Sequence, residues 1–428
     1  MKTHPPTSST LQHSLRPIYG RLAAAAVLLC VTSTVTAQSV LGSGTKTTLT
    51  PRIIQKDTTP DSTSDNIIAG PETGSSIQLG DIKLLPQLQL RYMQTNGIPL
   101  GAGTATSTDS SVFTFAPGLG LELGSNWTVS YNPTWTNYSN KTLTDTTSQS
   151  VSVIGAAKAN EWTFQFSEAF QSSQDILVET ARQTKQHTWA TVVSAMRKIG
   201  QRSQYSGTFN LNEQYGDIFD DSKTWSTDQW FRSQITPKLN AGLGVTLSKT
   251  DFSQRADVRS EGLLGSIQWK ATEKVDFTAQ GGVERRRIET AGSSSLRSPT
   301  LQISLNYRPF EQTRLTVAYN SATANALYSE LNQVTRNSGW SIALNQRLLE
   351  KLNLSMTYND SSSDYKSTAT TAQPTVRADK YKSFNTTLGV KILKYWTVSA
   401  IYQTAKNTSD QGFGFSTTQY GVELSGAF

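Results

Sequence analysis

Side chains suited to acid–base or metal chemistry are scarce in this 428-residue chain. It has three histidines, and two of them, His4 and His13, lie before a short apolar run near the N-terminus. That leaves His187, at the start of a predicted strand. A hydrolase would need a histidine base beside a nucleophile, and no such motif surrounds His187. We therefore predict that the protein is not an enzyme, and the histidine count excludes a histidine-based zinc or iron site.

Three carboxylates, Asp217, Asp220 and Asp221, form the densest acidic cluster. Calcium-binding loops place their oxygen ligands at fixed positions around a glycine turn, and these residues do not follow that spacing. We interpret the cluster as part of a solvated loop and predict no metal site. The sequence also lacks the glycine-rich fingerprints that bind phosphates, so we predict no cofactor.

The first 37 residues have the organisation of a secretory signal peptide. Three basic residues, Lys2, Arg16 and Arg21, precede the apolar run of residues 22–31. That run is too short to span a membrane. Small residues at the end of the segment predict cleavage after Ala37.

The single cysteine, Cys30, lies inside the apolar run. A lipoprotein signal needs a small residue before the cysteine, and Leu29 stands there instead, which disfavours lipidation. Cleavage after Ala37 would leave no thiol for a disulfide, a metal site or a nucleophile. It would also lower the net charge from +7 to +4, because three of the 39 basic residues precede it and 32 acidic residues follow it. The remaining basic residues are scattered without a binding motif, so we predict no nucleic-acid partner.

The rest of the chain divides into a polar leader and a long region of alternating segments. Residues 38–81 are rich in Ser, Thr, Gly, Asp and Pro and predict a mostly irregular periplasmic leader. Residues 82–428 alternate apolar and polar side chains, as in 239–248 and 301–308. No run of about 18 apolar residues follows the signal, so no membrane helix is predicted. Strands of this length suit a tilted crossing of about 25–30 Å of hydrocarbon.

The final strand has the clearest signature. Counting back by twos from the C-terminus gives an apolar face that ends on an aromatic residue: Phe428, Gly426, Leu424, Val422 and Tyr420. This ending resembles the terminal strand of bacterial outer-membrane β-barrels, porin-like families among them. The resemblance implies contact with outer-membrane lipid, and recognition of Phe428 and the larger residues of that face by the barrel-assembly machinery. An ordinary edge strand is the alternative interpretation of the terminus taken alone.

Two kinds of connection alternate along residues 82–428 and set the strand number. Eight tight turns centre near residues 124, 159, 200, 237, 273, 310, 350 and 393. Nine longer polar stretches cover approximately 96–110, 138–149, 172–185, 215–223, 251–260, 289–298, 322–337, 360–379 and 406–414. We predict an all-β, transmembrane antiparallel up-and-down barrel of about 18 strands, with short periplasmic turns and long extracellular loops. Sixteen strands is the alternative, because the alternation is weaker within 146–200.

Strand parity predicts which charged side chains face the lumen. The pore-lining candidates are Arg91, Asp228, Arg232, Lys270, Asp276, Glu284, Arg286, Arg308 and Arg314. Glu423 is predicted to turn inward as well, on a final strand that closes against residues 84–94. An 18-strand ring is wide enough for an aqueous channel, in which opposed charges would tune solute passage. Bracing and hydration of the inner wall is the alternative role for these residues.

These features favour a porin-like channel for passive diffusion of small hydrophilic solutes. The alternative is a structural or adhesive surface protein with a plugged barrel. Trimeric general porins have a long acidic constriction loop facing a ladder of arginines, and the sequence contains no clear counterpart. The leader is too short for the plug domain of a TonB-dependent transporter. Neither the solute nor the oligomeric state follows from the sequence.

Overall fold

The computed structural model describes residues 76–101, 107–289, 295–326, 333–367 and 375–428. The predicted signal peptide and most of the predicted leader lie outside these residues. Within them, no helix is long and apolar enough to cross a membrane. The strands are β1 (Ile77–Leu79), β2 (Ile82–Pro99), β3 (Ser107–Leu123), β4 (Trp127–Tyr138), β5 (Thr146–Ala159), β6 (Trp162–Leu177), β7 (Arg182–Ile199), β8 (Ser203–Gly216), β9 (Ser222–Thr236), β10 (Leu239–Phe252), β11 (Val258–Thr272), β12 (Val275–Ile288), β13 (Leu296–Tyr307), β14 (Thr313–Asn325), β15 (Gln333–Leu349), β16 (Leu352–Ser367), β17 (Thr375–Lys391), β18 (Trp396–Ser409) and β19 (Phe415–Ala427).

Strands β2 to β19 form one closed antiparallel ring of 18 strands. Each strand pairs with the next along the chain, and β19 returns to pair with β2 between the positions of Gln87 and Asn96. The short β1 forms a hairpin with the start of β2. The prediction of 18 strands is therefore confirmed, as is the closure of the final strand against the first. Closure pairs the edges that an open sheet would expose.

The alternation gives the ring an apolar outer face and a polar inner face. On β10 and β11, Leu243, Leu263 and Ile267 are exposed on the outside, whereas Ser260 and Ser266 are buried on the inside. A water-soluble domain buries its large apolar side chains. The reversed distribution found here is stable when lipid surrounds the ring.

Aromatic side chains mark both ends of the apolar outer face. They are exposed near the turns at Trp127, Trp269 and Tyr307, and near the loops at Tyr215, Trp225, Tyr319 and Tyr402. Two such bands place the membrane interfaces. Tyr138, at the loop end of β4, is instead buried, because its position on the strand has inward parity.

All eight tight turns lie where the sequence places them. The nine polar stretches also hold the longer connections, but the strands continue well into them. The stretch predicted over 172–185, for example, contains a connection of only four residues, 178–181. Beyond the lipid, a strand no longer needs an apolar face, so the alternation disappears while the backbone ladder continues. Parts of four stretches (102–106, 290–294, 327–332 and 368–374) lie outside the described residues.

Candidate solute path

A buried ion pair lies on the inner wall at the seam where the ring closes. Arg91 of β2 and Glu423 of β19 are direct cross-strand neighbours, and both are buried. The Nε of Arg91 donates to Oε2 of Glu423 at 2.9 Å, and its Nη2 donates to the same oxygen. Gln89 donates to that oxygen at 2.7 Å. The predicted inward orientation of Glu423 agrees with these contacts.

Four of the predicted charged residues lie together near the turns of β11 to β14. Lys270 is exposed and pairs across the strands with Asp276. Arg308 lies 4.0 Å from a carboxylate oxygen of Asp276. Arg314 is near enough to be repelled by Arg308 and attracted by Asp276. The cluster holds three cations and one carboxylate, so this end of the inner wall is positively charged.

Two predicted residues of β12 form an ion pair towards the loop end. The Nε of Arg286 donates to buried Glu284 at 2.8 Å, and its Nη1 donates to Asn325 at 3.1 Å. Its Nη2 bonds the carbonyl of Thr323. These contacts connect β12 to β14 across the intervening strand and brace the wall.

The remaining two candidates lie on β9. Asp228 accepts a hydrogen bond from Asn210 at 3.3 Å. Arg232 donates to Ser206 at 3.0 Å, and its guanidinium lies 4.6 Å from the ring centre of Trp230. The structure thus groups the nine residues into four separate sets around the ring. Their role in lining a solute path stays a prediction.

A closed 18-strand ring with an apolar band outside and charged side chains inside defines the kind of protein. This is the architecture of a bacterial outer-membrane β-barrel.

No protein-family model and no curated protein matches the sequence. The fold is similar to solved barrels of Pseudomonas aeruginosa. For OccK9 (OpdG) the TM-score is 0.47 at 12% identity, over 81% of this chain and 98% of that one. For OpdO it is 0.44 at 12% identity, over 81% and 97%. The siderophore receptor PirA of Acinetobacter baumannii gives 0.43 at 6% identity, over 82% and 81%.

The ends of β6 and β7 form a hairpin that leaves the wall of the barrel. We call residues 173–184 the roof hairpin. Ile176 is 0% exposed and Leu177 is 1% exposed. Consecutive residues of a strand point to opposite faces, so both faces of the hairpin are covered by protein. Ala181 and Thr184 on the returning strand are also buried.

The contacts of the hairpin tip place it across the lumen. The carbonyl of Glu179 accepts a hydrogen bond from Nη1 of Arg377 on β17 at 3.0 Å. The carboxylate of Glu179 also lies near enough to Arg255, in the connection between β10 and β11, for the two charges to attract each other. Counted around the ring, β17 lies seven strands from β6 in one direction, and β10 lies four strands away in the other. A segment that reaches both sides crosses the extracellular mouth instead of following the wall.

Arg377 is the main polar support of the roof hairpin. Its guanidinium forms a buried ion pair with Asp379, through Nε at 3.0 Å and through Nη2. It also lies over two aromatic rings, 3.6 Å from the centre of Phe413 and 4.5 Å from that of Tyr365. A buried cation with these partners holds its geometry well, since each partner offsets part of its desolvation.

An apolar cluster on the inner wall supports the hairpin from below. Ile176 and Ala181 of the hairpin belong to it, together with Leu143 of the β4–β5 connection. The wall contributes Met93, Ile98, Val112, Tyr138, Tyr381, Ile401, Ala405 and Phe415. Gln183 adds polar contacts, because its amide exchanges two hydrogen bonds of 2.9 Å with the backbone of Thr144. The sequence did not predict this feature. The apolar residues with inward parity in β2, β17 and β18 were the available signal.

The other residues considered for chemistry have ordinary surroundings. His187 lies on the outer face, where its ring stacks on Phe170 with 6.3 Å between ring centres. Asp220 lies 3.6 Å from Arg255, and Asp221 accepts a hydrogen bond from the backbone of Gly216 at 3.3 Å. These acidic side chains therefore stabilise the loops at the extracellular mouth.

Proposed function

We propose that this barrel is a channel for passive diffusion of small hydrophilic solutes, with access from outside restricted by the roof hairpin. The observation that carries the proposal is the inner wall. It presents charged and hydroxyl side chains from strands all around the ring. Such a wall retains water, and an 18-strand ring leaves room for it.

The nine predicted charged residues would act on solutes in two ways. The positive set of Lys270, Arg308 and Arg314 would attract anionic groups at the periplasmic end. The paired sets at Arg91 and Arg286 would hydrate and brace the wall. Opposed charges across a narrow lumen orient polar solutes and exclude apolar ones.

The roof hairpin would set the size limit. It crosses the mouth, so solutes would pass beside it, along the part of the wall that it does not contact. Glu179, Arg255 and Arg377 lie around its tip, and their charges make the mouth polar. Passage would therefore favour small, water-soluble molecules.

Single-channel recording in planar bilayers tests the proposal. We expect discrete conductance steps from the purified protein, smaller than an unobstructed 18-strand ring would give. The double variant Arg377→Met/Asp379→Asn removes the support of the hairpin without leaving a lone buried charge. Its steps should be larger and noisier.

Correct folding is checked by heat-modifiable migration on gels. Folded protein that inserts but gives no steps, in the wild type and in the double variant alike, would refute the channel and favour a plugged surface protein. Equal steps in both proteins would refute the size limit set by the hairpin.

A further inference from the structure

A notch lies on the outer surface of the barrel at the turn end of β6 to β8. Its volume is about 420 Å³, and its lining includes Glu161, Trp162, Arg197 and Tyr205. Small-molecule sites typically measure about 300–1,000 Å³. The notch has the size of a binding site.

Strand parity shows that the notch faces the membrane. Trp162, Arg197 and Tyr205 are successive cross-strand neighbours, and Tyr205 pairs in turn with Phe231, which is exposed on the apolar outer face. The next outward position beyond Arg197 is Ala195. The notch therefore lies at the interface, with the hydrocarbon band directly beyond it.

Two tight turns hold the rim of the notch. Asn160 adopts a left-handed backbone conformation with φ 54°, and Glu161 follows it. Gly200 does the same on the β7–β8 turn, with φ 66°. Turns of this kind are short and conformationally restricted, so the two sides keep a constant separation.

The charged groups of the notch form a matched pair. Arg197 donates from Nε at 2.9 Å and from Nη2 at 2.6 Å to the same oxygen of Glu161. A guanidinium has five N–H donors, so Arg197 can also bind a phosphate, for which its planar geometry is well suited. The exposed carboxylate of Glu161 can accept hydrogen bonds from an ammonium group.

The aromatic residues supply the amphipathic part of the site. The guanidinium of Arg197 lies 5.9 Å from the ring centre of Trp162. Tyr205 meets Trp162 edge to face, with 6.3 Å between ring centres. Trp and Tyr prefer the boundary between headgroups and acyl chains, where one end of the ring is apolar and the other is hydrated.

We propose that this notch binds the phosphoethanolamine headgroup of a phospholipid in the periplasmic leaflet. Arg197 holds the phosphate, Glu161 holds the ammonium, and Trp162 and Tyr205 pack beside the glycerol. The acyl chains extend along the outer face past Ala195. A zwitterionic headgroup matches both members of the pair, whereas a phosphoglycerol headgroup offers no ammonium to Glu161.

Native mass spectrometry of the detergent-purified protein tests the site. The probes are phosphatidylethanolamine and phosphatidylglycerol with identical acyl chains. We expect the wild type to bind phosphatidylethanolamine about tenfold more tightly, the effect of one charge-assisted hydrogen bond. Arg197→Gln should lower that affinity by a similar factor. Arg347→Gln, at the turn end of β15 on the lumen side of the wall, is the control for the loss of an arginine away from lipid and should bind like the wild type.

The variant Glu161→Gln separates recognition from a general effect on folding. Without the carboxylate, the preference should shift towards phosphatidylglycerol, which a loss of structure would not produce. Equal binding of the two lipids by the wild type would overturn the proposal. So would unchanged phosphatidylethanolamine binding by Arg197→Gln, or an unchanged headgroup preference in Glu161→Gln.

Discussion

At the scale of single residues, the inner wall is held together by buried charges in pairs. Arg91 with Glu423 and Arg377 with Asp379 both satisfy this description. A buried pair contributes little compared with apolar residues of the same shape, but the loss of one partner leaves the other charge desolvated and unpaired. The seam should therefore be stable when both charged residues are present or when both are replaced, and less stable when only one of them is replaced.

The variant Glu423→Ala should lower the free energy of unfolding by about 3–5 kcal/mol, because Arg91 then remains as a lone buried charge. The double variant Arg91→Met/Glu423→Leu should lose much less. Urea unfolding from lipid vesicles measures both.

The control is Lys83→Gln. Lys83 of β2 forms an ion pair with Glu122 of β3 at 3.4 Å, and both side chains are more exposed than those of the seam pair. Screened pairs of this kind contribute about 0–1 kcal/mol. Equal losses for Glu423→Ala and Lys83→Gln would show that the seam pair is not effectively buried.

At the scale of elements, the roof hairpin is the continuation of two wall strands, β6 and β7, across the lumen. Its two strands keep their ladder up to Leu177 and Arg182, so the backbone groups that face each other stay paired without the neighbouring strands. Its side chains are satisfied by the apolar cluster below it and by Arg377. A small number of distant contacts thus fixes the position of a self-contained hairpin.

Cysteine labelling tests how firmly the hairpin is held. The sequence has one cysteine, Cys30, within the predicted signal, so an introduced thiol can be followed by itself. The variant Ala181→Cys should react slowly with a maleimide, since residue 181 is buried. Adding Arg377→Met/Asp379→Asn should increase the rate by about tenfold or more, because local opening becomes easier.

The reference is Thr142→Cys, in the exposed connection between β4 and β5, which should react rapidly in both backgrounds. A thiol at 181 that reacts as fast as the one at 142 in the otherwise wild-type protein would contradict the closed position of the hairpin.

At the scale of the whole molecule, the last residue completes the ring. The backbone N–H of Phe428 donates to the carbonyl of Pro86 at 2.9 Å. Its ring lies 5.3 Å from that of Trp396 and 6.0 Å from that of Tyr395. These contacts close the seam, and the predicted role of Phe428 in assembly is a separate property.

The variant Phe428→Ala distinguishes the two roles. Refolded in vitro, it should lose only about 1–3 kcal/mol, because two aromatic contacts of about 0.5–1.5 kcal/mol each disappear. In cells, the amount of heat-modifiable barrel should fall much further than that loss explains.

Phe310→Ala serves as the control, since Phe310 is an exposed aromatic residue in a turn at the same end. A similar cellular yield for both variants would remove the assembly role of Phe428.

The number of strands, the positions of the turns and the two faces of each strand were readable in the sequence. Lipid outside and water inside impose a period of two on every crossing, and runs such as Leu239 to Ser248 carry that period locally. The tertiary structure alone decided where β6 and β7 end, how Glu179 meets Arg377, and how Trp162, Arg197 and Tyr205 form a notch. Outside the hydrocarbon the periodicity disappears, so 172–185 looked like a loop. The contacts that fix the roof join residues almost 200 positions apart, and a pattern read along the chain carries no information about such pairings.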